Sequence, residues 1–374
     1  MVGFIVLTLV MSAFIGWITI PNIIIISKRK RLFDSHNARK VHTGAIPRLG
    51  GISFLPAVLV SFCLSLGILH ITTGFDLNPV YADEFYAEFL FFVAGLISLF
   101  FIGLADDLVG IGYKSKFLVQ VVAAAMLVLA DLNIKSFDGL FGIYYIHPVF
   151  SVLLTVFVVV GAVNAYNLID GVDGLCSGLG AIALCVLSGW FYYHDLYAYT
   201  MLGVSLLGCV VTFFLYNTRG MRLKVFMGDG GSLMLGYIVS FLGLKFIDLN
   251  TGMGTFTFDT PNGELMVLSA VFIPVFDTVR VLTERIMKGR PPFFPDKTHI
   301  HHLFLRLGFT HMQSTGIILI MAIAIIIFNF ALQDINSNLL FVSDVLIGMV
   351  FLNWLPKYII RKREGRAKGN TSAR

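Results

Sequence analysis

Four short stretches of the chain gather side chains that can do chemistry: Asp106-Asp107, Asn167-Leu-Ile-Asp170-Gly-Val-Asp173-Gly, Met227-Gly-Asp229-Gly-Gly and His299-Ile-His301-His302. Each stands at or near the end of a long apolar run. A carboxylate drawn to the centre of a membrane helix costs about 2.5–3.5 kcal/mol, so acids collected at such borders call for partners. Carboxylate and amide oxygens without thiols suit Mg²⁺, which keeps several waters and binds through one or two carboxylates plus substrate phosphates. Phosphoryl transfer asks mainly for positioning and neutralisation of charge. Lys114, Lys116, Arg290, Lys297, His301 and His302 offer cations, and Gly228, Gly230 and Gly231 allow close backbone approach at the start of a helix, where an anion is favoured.

Taken singly, the stretches have plainer explanations. An Asp pair after a helix is commonly solvated loop. Asn-x-x-Asp-Gly and Gly-Asp-Gly-Gly are ordinary turn chemistry, and His-x-His-His without a companion cysteine makes a poor zinc site. Cys63, Cys176, Cys185 and Cys209 fall in or beside apolar segments without ligand spacing and read as small buried hydrophobes. What lends the four stretches weight is whether all of them reach one membrane face.

The elements that must place them are helices in lipid. With 374 residues, 57% hydrophobic and 13% charged, the chain carries more apolar surface than one globular core can hide. Hydropathy predicts an all-α polytopic membrane bundle with eleven spans at about 2–27, 50–72, 87–105, 117–133, 150–167, 174–193, 198–216, 231–248, 263–283, 313–332 and 339–356, the first retained and not a removed signal peptide. Alternate connections hold 25 of the 27 lysines and arginines, leaving Lys135 and Lys245 for the other side. The positive-inside rule then puts the N-terminus outside, the C-terminus in the cytoplasm and all four stretches on the cytoplasmic face. The expected organisation is one transmembrane catalytic domain, 1–356, and a basic cytoplasmic tail, 357–374, disordered from Arg361. The rival class is a secondary transporter with Asp277 of Pro274-Val-Phe-Asp-Thr as an intramembrane site, but no inverted repeat is visible and the acids gather at one face.

The segments Arg39-Lys-Val-His-Thr-Gly-Ala-Ile-Pro-Arg-Leu-Gly-Gly51, Asp106-Asp107, Asn164-Ala-Tyr-Asn-Leu-Ile-Asp-Gly-Val-Asp-Gly174, Val225-Phe-Met-Gly-Asp-Gly-Gly-Ser232 and Pro295-Asp-Lys-Thr-His-Ile-His-His302 together resemble the motifs of the polyprenyl-phosphate N-acetylhexosamine-1-phosphate transferases, glycosyltransferase family 4. The resemblance implies a bacterial cytoplasmic-membrane enzyme in which undecaprenyl phosphate attacks the β-phosphorus of a UDP-N-acetylhexosamine, releasing UMP and priming a cell-envelope polysaccharide. It implies Mg²⁺, or Mn²⁺ in its place, on Asp229 with Asn167, and Asp170 beside the diphosphate. It also implies uracil held by Asp173 and Phe226, phosphates met by Lys116 and by His301 or His302, further substrate contacts from Asn217 and Arg290, and Asp106-Asp107 as base or metal support. The third acid that some members carry after that pair is absent, since the run is Asp106-Asp-Leu-Val-Gly110. Eleven spans and the Pro-Asp-x-x-His-Ile-His-His run are similar to the UDP-N-acetylglucosamine branch; the alternative is the sibling using UDP-N-acetylmuramoyl-pentapeptide. The expected partners are these substrates and the bilayer, with a homodimer left open and no nucleic acid.

Overall fold

The computed structural model describes residues 1–30, 32, 46–74, 79–218, 224–250, 258, 260–291 and 298–372, with backbone alone at 79–84 and 365–372. The described residues form helices and no strand: α1 (Val2–Lys30), α2 (Phe54–Thr73, entered through a 3-10 turn at Gly50–Ser53), α3 (Pro79–Val109), α4 (Tyr113–Leu129), α5 (Pro148–Ile169), α6 (Leu175–Tyr193), α7 (Tyr197–Thr218), α8 (Gly228–Asn250), α9 (Gly263–Met287), the short α10 (Ile300–Arg306), α11 (His311–Ala331), α12 (Ser337–Ile347) and α13 (Leu355–Ser372), the last two joined by a π-helical segment, Gly348–Trp354.

Among the described residues, ten helical stretches are long and apolar enough to cross a membrane, so the protein is an all-α, multi-pass membrane protein. All eleven expected spans fall on helices, but α4 has only 17 residues. At 1.5 Å per residue it is about 25 Å long, the lower end of what a span needs. Its first turn carries Lys114 and Lys116, which belong beside water or an anion. The basic tail, expected to be disordered, continues as α13 to Ser372. It docks on α10: Ile360 packs with Leu303 and Leu307, Arg363 Nη1 donates to the Leu307 carbonyl at 2.6 Å, and Arg306 pairs with Glu364 at 3.1 Å.

Helix α8 is the hub. Of its most apolar 18-residue window 83% is buried inside the protein, against 22% for the peripheral α1, whose Val6, Val10, Phe14 and Trp17 face outward. Lipid tails are as apolar as leucine, so helices in a bilayer associate by close packing and polar contacts. Small residues supply the closeness. A Cβ on Gly236 of α8 would lie 2.8 Å from the Val163 Cα of α5, and one on Gly208 of α7 would lie 2.4 Å from the Leu9 carbonyl of α1.

The end of α8 remote from Asp229 is fastened by charge. Lys245, 1% exposed, donates to Glu88 Oε1 of α3 at 2.6 Å and to Asp248 Oδ2 at 3.2 Å, while the Tyr199 hydroxyl of α7 donates to Glu88 Oε2 at 2.6 Å. Breaking such a buried pair strands the surviving charge at a cost of about 3–5 kcal/mol, whereas replacing both partners is far milder. Lys245→Met is therefore expected to lower the melting temperature in detergent markedly, and Glu88→Gln with Lys245→Met to recover most of the loss. Equal melting temperatures for the single and double variants would contradict this.

Candidate active site

The four stretches meet around the first turn of α8. Gly228 enters the helix with φ +73°, a left-handed turn that glycine adopts without strain. The orphan amides that follow are capped from another helix: Asp107 of α3 accepts from the Asp229 amide at 2.9 Å through Oδ1 and from the Gly230 amide at 3.1 Å through Oδ2. Its negative charge also complements the positive end of the helix dipole. Such a cap needs α3 close to α8. A Cβ on Gly103 would stand 2.5 Å from the Gly230 Cα, and one on Gly51 would stand 2.2 Å from the Gly231 Cα. The Pro47–Gly51 segment is laced to the same turn by three backbone bonds, Phe226 N to Pro47 O (2.8 Å), Gly50 N to Phe226 O (2.9 Å) and Gly51 N to Met227 O (2.8 Å).

Oxygen ligands then converge on one cation. The Lys116 ammonium of α4 donates to Asp229 Oδ2, to Asp106 Oδ2 at 3.4 Å and to Asn167 Oδ1 at 3.4 Å. Asn167 Nδ2 is 2.9 Å from both Asp229 Oδ1 and Ser232 Oγ, and Asp106 Oδ1 accepts from the Ile111 amide at 2.6 Å. Asp170 closes the C-terminus of α5. Burial first, then the negative charges of Asp229, Asp107 and Asp173, push its carboxyl up to about 8, and Arg48 partly offsets them. These acids outnumber the cations among them. The donor set suits a hard divalent ion, although among the described residues no three acidic, histidine or cysteine side chains form a complete metal cage. A Mg²⁺ held by one or two carboxylates and completed by substrate phosphates fits that arrangement.

A second group lies alongside. Asp173 Oδ2 pairs with Lys224 Nζ at 2.6 Å and sits 3.5 Å from His311 Nδ1, while the Asp173 carbonyl accepts from Thr315 Oγ1 at 2.7 Å. Lys224 Nζ also lies 5.7 Å from the centre of the Phe226 ring. An aromatic face beside a hydrogen-bonding carboxylate is the equipment for holding a flat heterocycle. From the other side His301, 2% exposed, closes on the turn after Asp170, where a Cβ on Gly171 would be 2.7 Å from His301 Nε2.

Several sequence expectations change in detail. Burial, with His302 beside it, lowers His301 to about 3, so this imidazole is neutral at pH 7 and offers a hydrogen bond in place of the expected positive charge. Asn217 is buried and spent on backbone: its oxygen accepts from the Gly174 amide and its nitrogen donates to the Val225 carbonyl at 2.8 Å. It joins the Asp173 loop to the Phe226 strand of chain, a bridging position and not an open contact. Arg290 and Lys114 are exposed, and Arg290 is anchored through its backbone amide to the Arg285 carbonyl at 2.9 Å. His302 adjoins His301, ring centres 4.3 Å apart. Lys297, the 39–45 part of the first motif and the 295–297 part of the last lie outside the described residues. Two residues have no role from sequence alone: Arg48, which faces the acids, and Lys224, which stands just before the Val225–Ser232 motif.

Comparison with known proteins gives a consistent picture. Residues 89–247 match the family described as glycosyl transferase family 4. The chain is 31% identical over 301 residues, 79% of its length and 75% of the relative's, to the undecaprenyl-phosphate alpha-N-acetylglucosaminyl 1-phosphate transferase of Escherichia coli O157:H7. It is 29% identical over 325 residues, 86% and 81% of the two lengths, to the protein of the same name from Yersinia pestis. It is also 29% identical over 342 residues, 87% and 83%, to the decaprenyl-phosphate N-acetylglucosaminephosphotransferase of Mycobacterium leprae.

The glycine crossing can be tested without a substrate. Gly103→Ala forces a methyl against the Gly230 backbone and is expected to destabilise by about 1–3 kcal/mol or more, as overpacking does. Gly67→Ala, where a Cβ meets nothing within 4 Å, is expected to be neutral or slightly stabilising in the same thermal unfolding assay. Indistinguishable curves for the two variants would remove the crossing as a constraint.

Proposed function

The chain belongs to glycosyl transferase family 4 and is a multi-pass membrane transferase, and from that premise we propose that it transfers N-acetylglucosamine 1-phosphate from UDP-N-acetylglucosamine to undecaprenyl phosphate. A lipid phosphate oxygen bonds to the β-phosphorus, the bond from that phosphorus to the bridging oxygen breaks, and UMP leaves. The observation that carries this is the convergence of Asp229, Asn167 and Asp106 oxygens on the Lys116 ammonium, a built-in cation at the start of α8. The names borne by the relatives favour the N-acetylglucosamine branch over the muramoyl-pentapeptide one.

Asp229 and Asn167 would hold Mg²⁺, with Asp170 beside it. When bound, the ion would neutralise diphosphate charge and orient its oxygens. The chain's own residues contribute the rest. Lys116 binds phosphate oxygens, Asp173, Lys224 and Phe226 hold the uracil, and His301 donates or accepts a single hydrogen bond as a neutral ring. Asp106 and Asp107 position Lys116 and the first turn of α8. Both already have hydrogen-bond partners, which supports direct attack by the lipid phosphate over an aspartyl-phosphate intermediate. The lopsided distribution of lysine and arginine supports a cytoplasmic site in a bacterial cytoplasmic membrane, with the N-terminus outside.

Asp229→Asn removes charge but little volume and is expected to abolish UMP release from UDP-N-acetylglucosamine while the far-ultraviolet circular dichroism stays native. Turnover near that of the unmodified protein would sink the assignment. Phe226→Leu keeps apolar bulk but loses a stacking face worth about 1–3 kcal/mol to a base. Its KM for the UDP-sugar should rise about 10-fold or more while the KM for lipid phosphate holds. A parallel rise in both would reduce Phe226 to packing.

A further inference from the structure

One buried charge cluster next to the site has no part in the chemistry above. Asp277 of α9 is 2% exposed and fully engaged. Its Oδ1 accepts from Arg280 Nε at 3.2 Å, from Arg280 Nη2 at 2.6 Å and from the Ile300 amide at 3.0 Å, and its Oδ2 lies 2.9 Å from His299 Nδ1. Arg280 Nη2 also donates to the Thr298 carbonyl at 2.7 Å, and Nη1 reaches Asn353 of the π-helical segment at 3.5 Å. Neutralising Arg280 would need only the two guanidinium bonds. The remaining acceptor positions go to the loop that begins α10.

Ile300 is the first residue of α10, and its N-cap, His299, makes no side-chain cap of its own. Asp277 therefore caps α10 from a different helix, as Asp107 caps α8. The consequence reaches the site within two residues. The His299 and His301 rings lie nearly parallel, 4° apart with centres separated by 5.8 Å, and His301 is the ring that closes on Gly171, next in chain to Asp170. Elsewhere α10 packs on α11 and on α13, where Ile360 meets Leu303 and Leu307.

We propose that Asp277, held by Arg280, is a positioning residue of the transferase: it fixes the start of α10 so that His301 stays seated on the Asp170–Gly171 turn. It touches neither substrate, and the inference rests on phospho-sugar transfer taking place at that turn. A purely structural ion pair would have the same contacts between Asp277 and Arg280 but no hold on the rate of transfer.

The two cases separate when both charges are removed together. Asp277→Leu with Arg280→Met replaces the pair by apolar side chains, a change that buried ion pairs commonly tolerate or gain from in stability. No charge of the pair is left stranded, so the variant is expected to fold and to melt only modestly below the unmodified protein, by the loss of the acceptor for the Ile300 amide and His299. Its kcat for UMP release from UDP-N-acetylglucosamine and undecaprenyl phosphate should fall about 10- to 100-fold, the effect of a small misplacement. The KM for the UDP-sugar should stay close to normal, because the Asp173–Lys224–Phe226 group is on other segments. Diethyl pyrocarbonate, with the adduct located by mass spectrometry, should modify His301 faster in the variant. Normal kcat together with normal His301 reactivity would overturn the proposal. If the double variant does not fold, His299→Leu leaves the Asp277–Arg280 pair and the Ile300 cap intact but removes the Asp277 Oδ2 contact, and should show a smaller loss in kcat at unchanged KM. A normal kcat there would overturn it equally. Failure of the unmodified protein to release UMP would instead strike the transfer reaction itself.

Discussion

Everything at the site depends on two backbones reaching the first turn of α8 at once. Gly51 and Gly103 stand where any side chain would drive into Gly231 and Gly230, so the 3-10 turn before α2 and the end of α3 can touch that turn directly. Only at this separation can Asp107 reach two amides of α8. The cap in turn aims Asp229 at Lys116 and Asn167, from α4 and α5. Four helices thus supply one cluster because glycine removes the spacing that side chains would impose, the means of approach that lipid-embedded helices commonly use. The charged clamp of Lys245 with Glu88 holds the other end of α8 in the same bundle, so the hub is fixed at both ends.

Charge within the cluster follows from that geometry. Asp107 spends both oxygens on the opening amides of α8, beside the positive end of the helix dipole. Asp106 and Asp229 share Lys116. Burial and its acidic neighbours raise the Asp170 carboxyl to about 8, and the charge of Arg48 offsets them only in part. A divalent ion placed among these oxygens would reverse the balance that raises it, and on the proposed reading this links metal and acid. The buried, neutral His301 fits the same economy. Removed from water and set beside His302, the ring keeps only the role of a directional hydrogen-bonding group.

Much of this was legible in the residues. Long apolar runs mark spans whatever their neighbours, and the four stretches are local in sequence, so the helices and the convergence of Asp106, Asn167, Asp229 and His301 could be read without coordinates. Pairings across the fold could not. Asp277 read as a solitary intramembrane acid fit for a transporter, because its partners Arg280, His299 and Ile300 depend on the α9–α10 loop folding back onto α9. Asn217 read as a substrate contact, yet both ends of its amide are taken by the backbone of two loops. The basic end read as a disordered tail, since helicity there comes from docking on α10 through Ile360 and Arg363 and not from local hydrophobic pattern. Lys224 was passed over because a lone lysine in a loop carries no signal until its partner Asp173, 51 residues away, is known.

The two caps point to a common design. Asp107 lies near the end of α3 and Asp277 within α9, and each spends an oxygen or two on the opening amides of a neighbouring helix that carries a functional group, α8 with Asp229 and α10 with His301. For Asp107 this bears on mechanism. An attacking carboxylate must free an oxygen, which here would uncap α8 and release the turn that aims Asp229. A phosphomonoester has a second pKa near 6 and is largely dianionic at pH 7, so a lipid phosphate already carries the charge needed to attack. On the proposed reading, the cheaper path keeps the cap intact and lets the lipid phosphate act as the nucleophile, with the aspartates serving as the frame that holds the reacting groups in line.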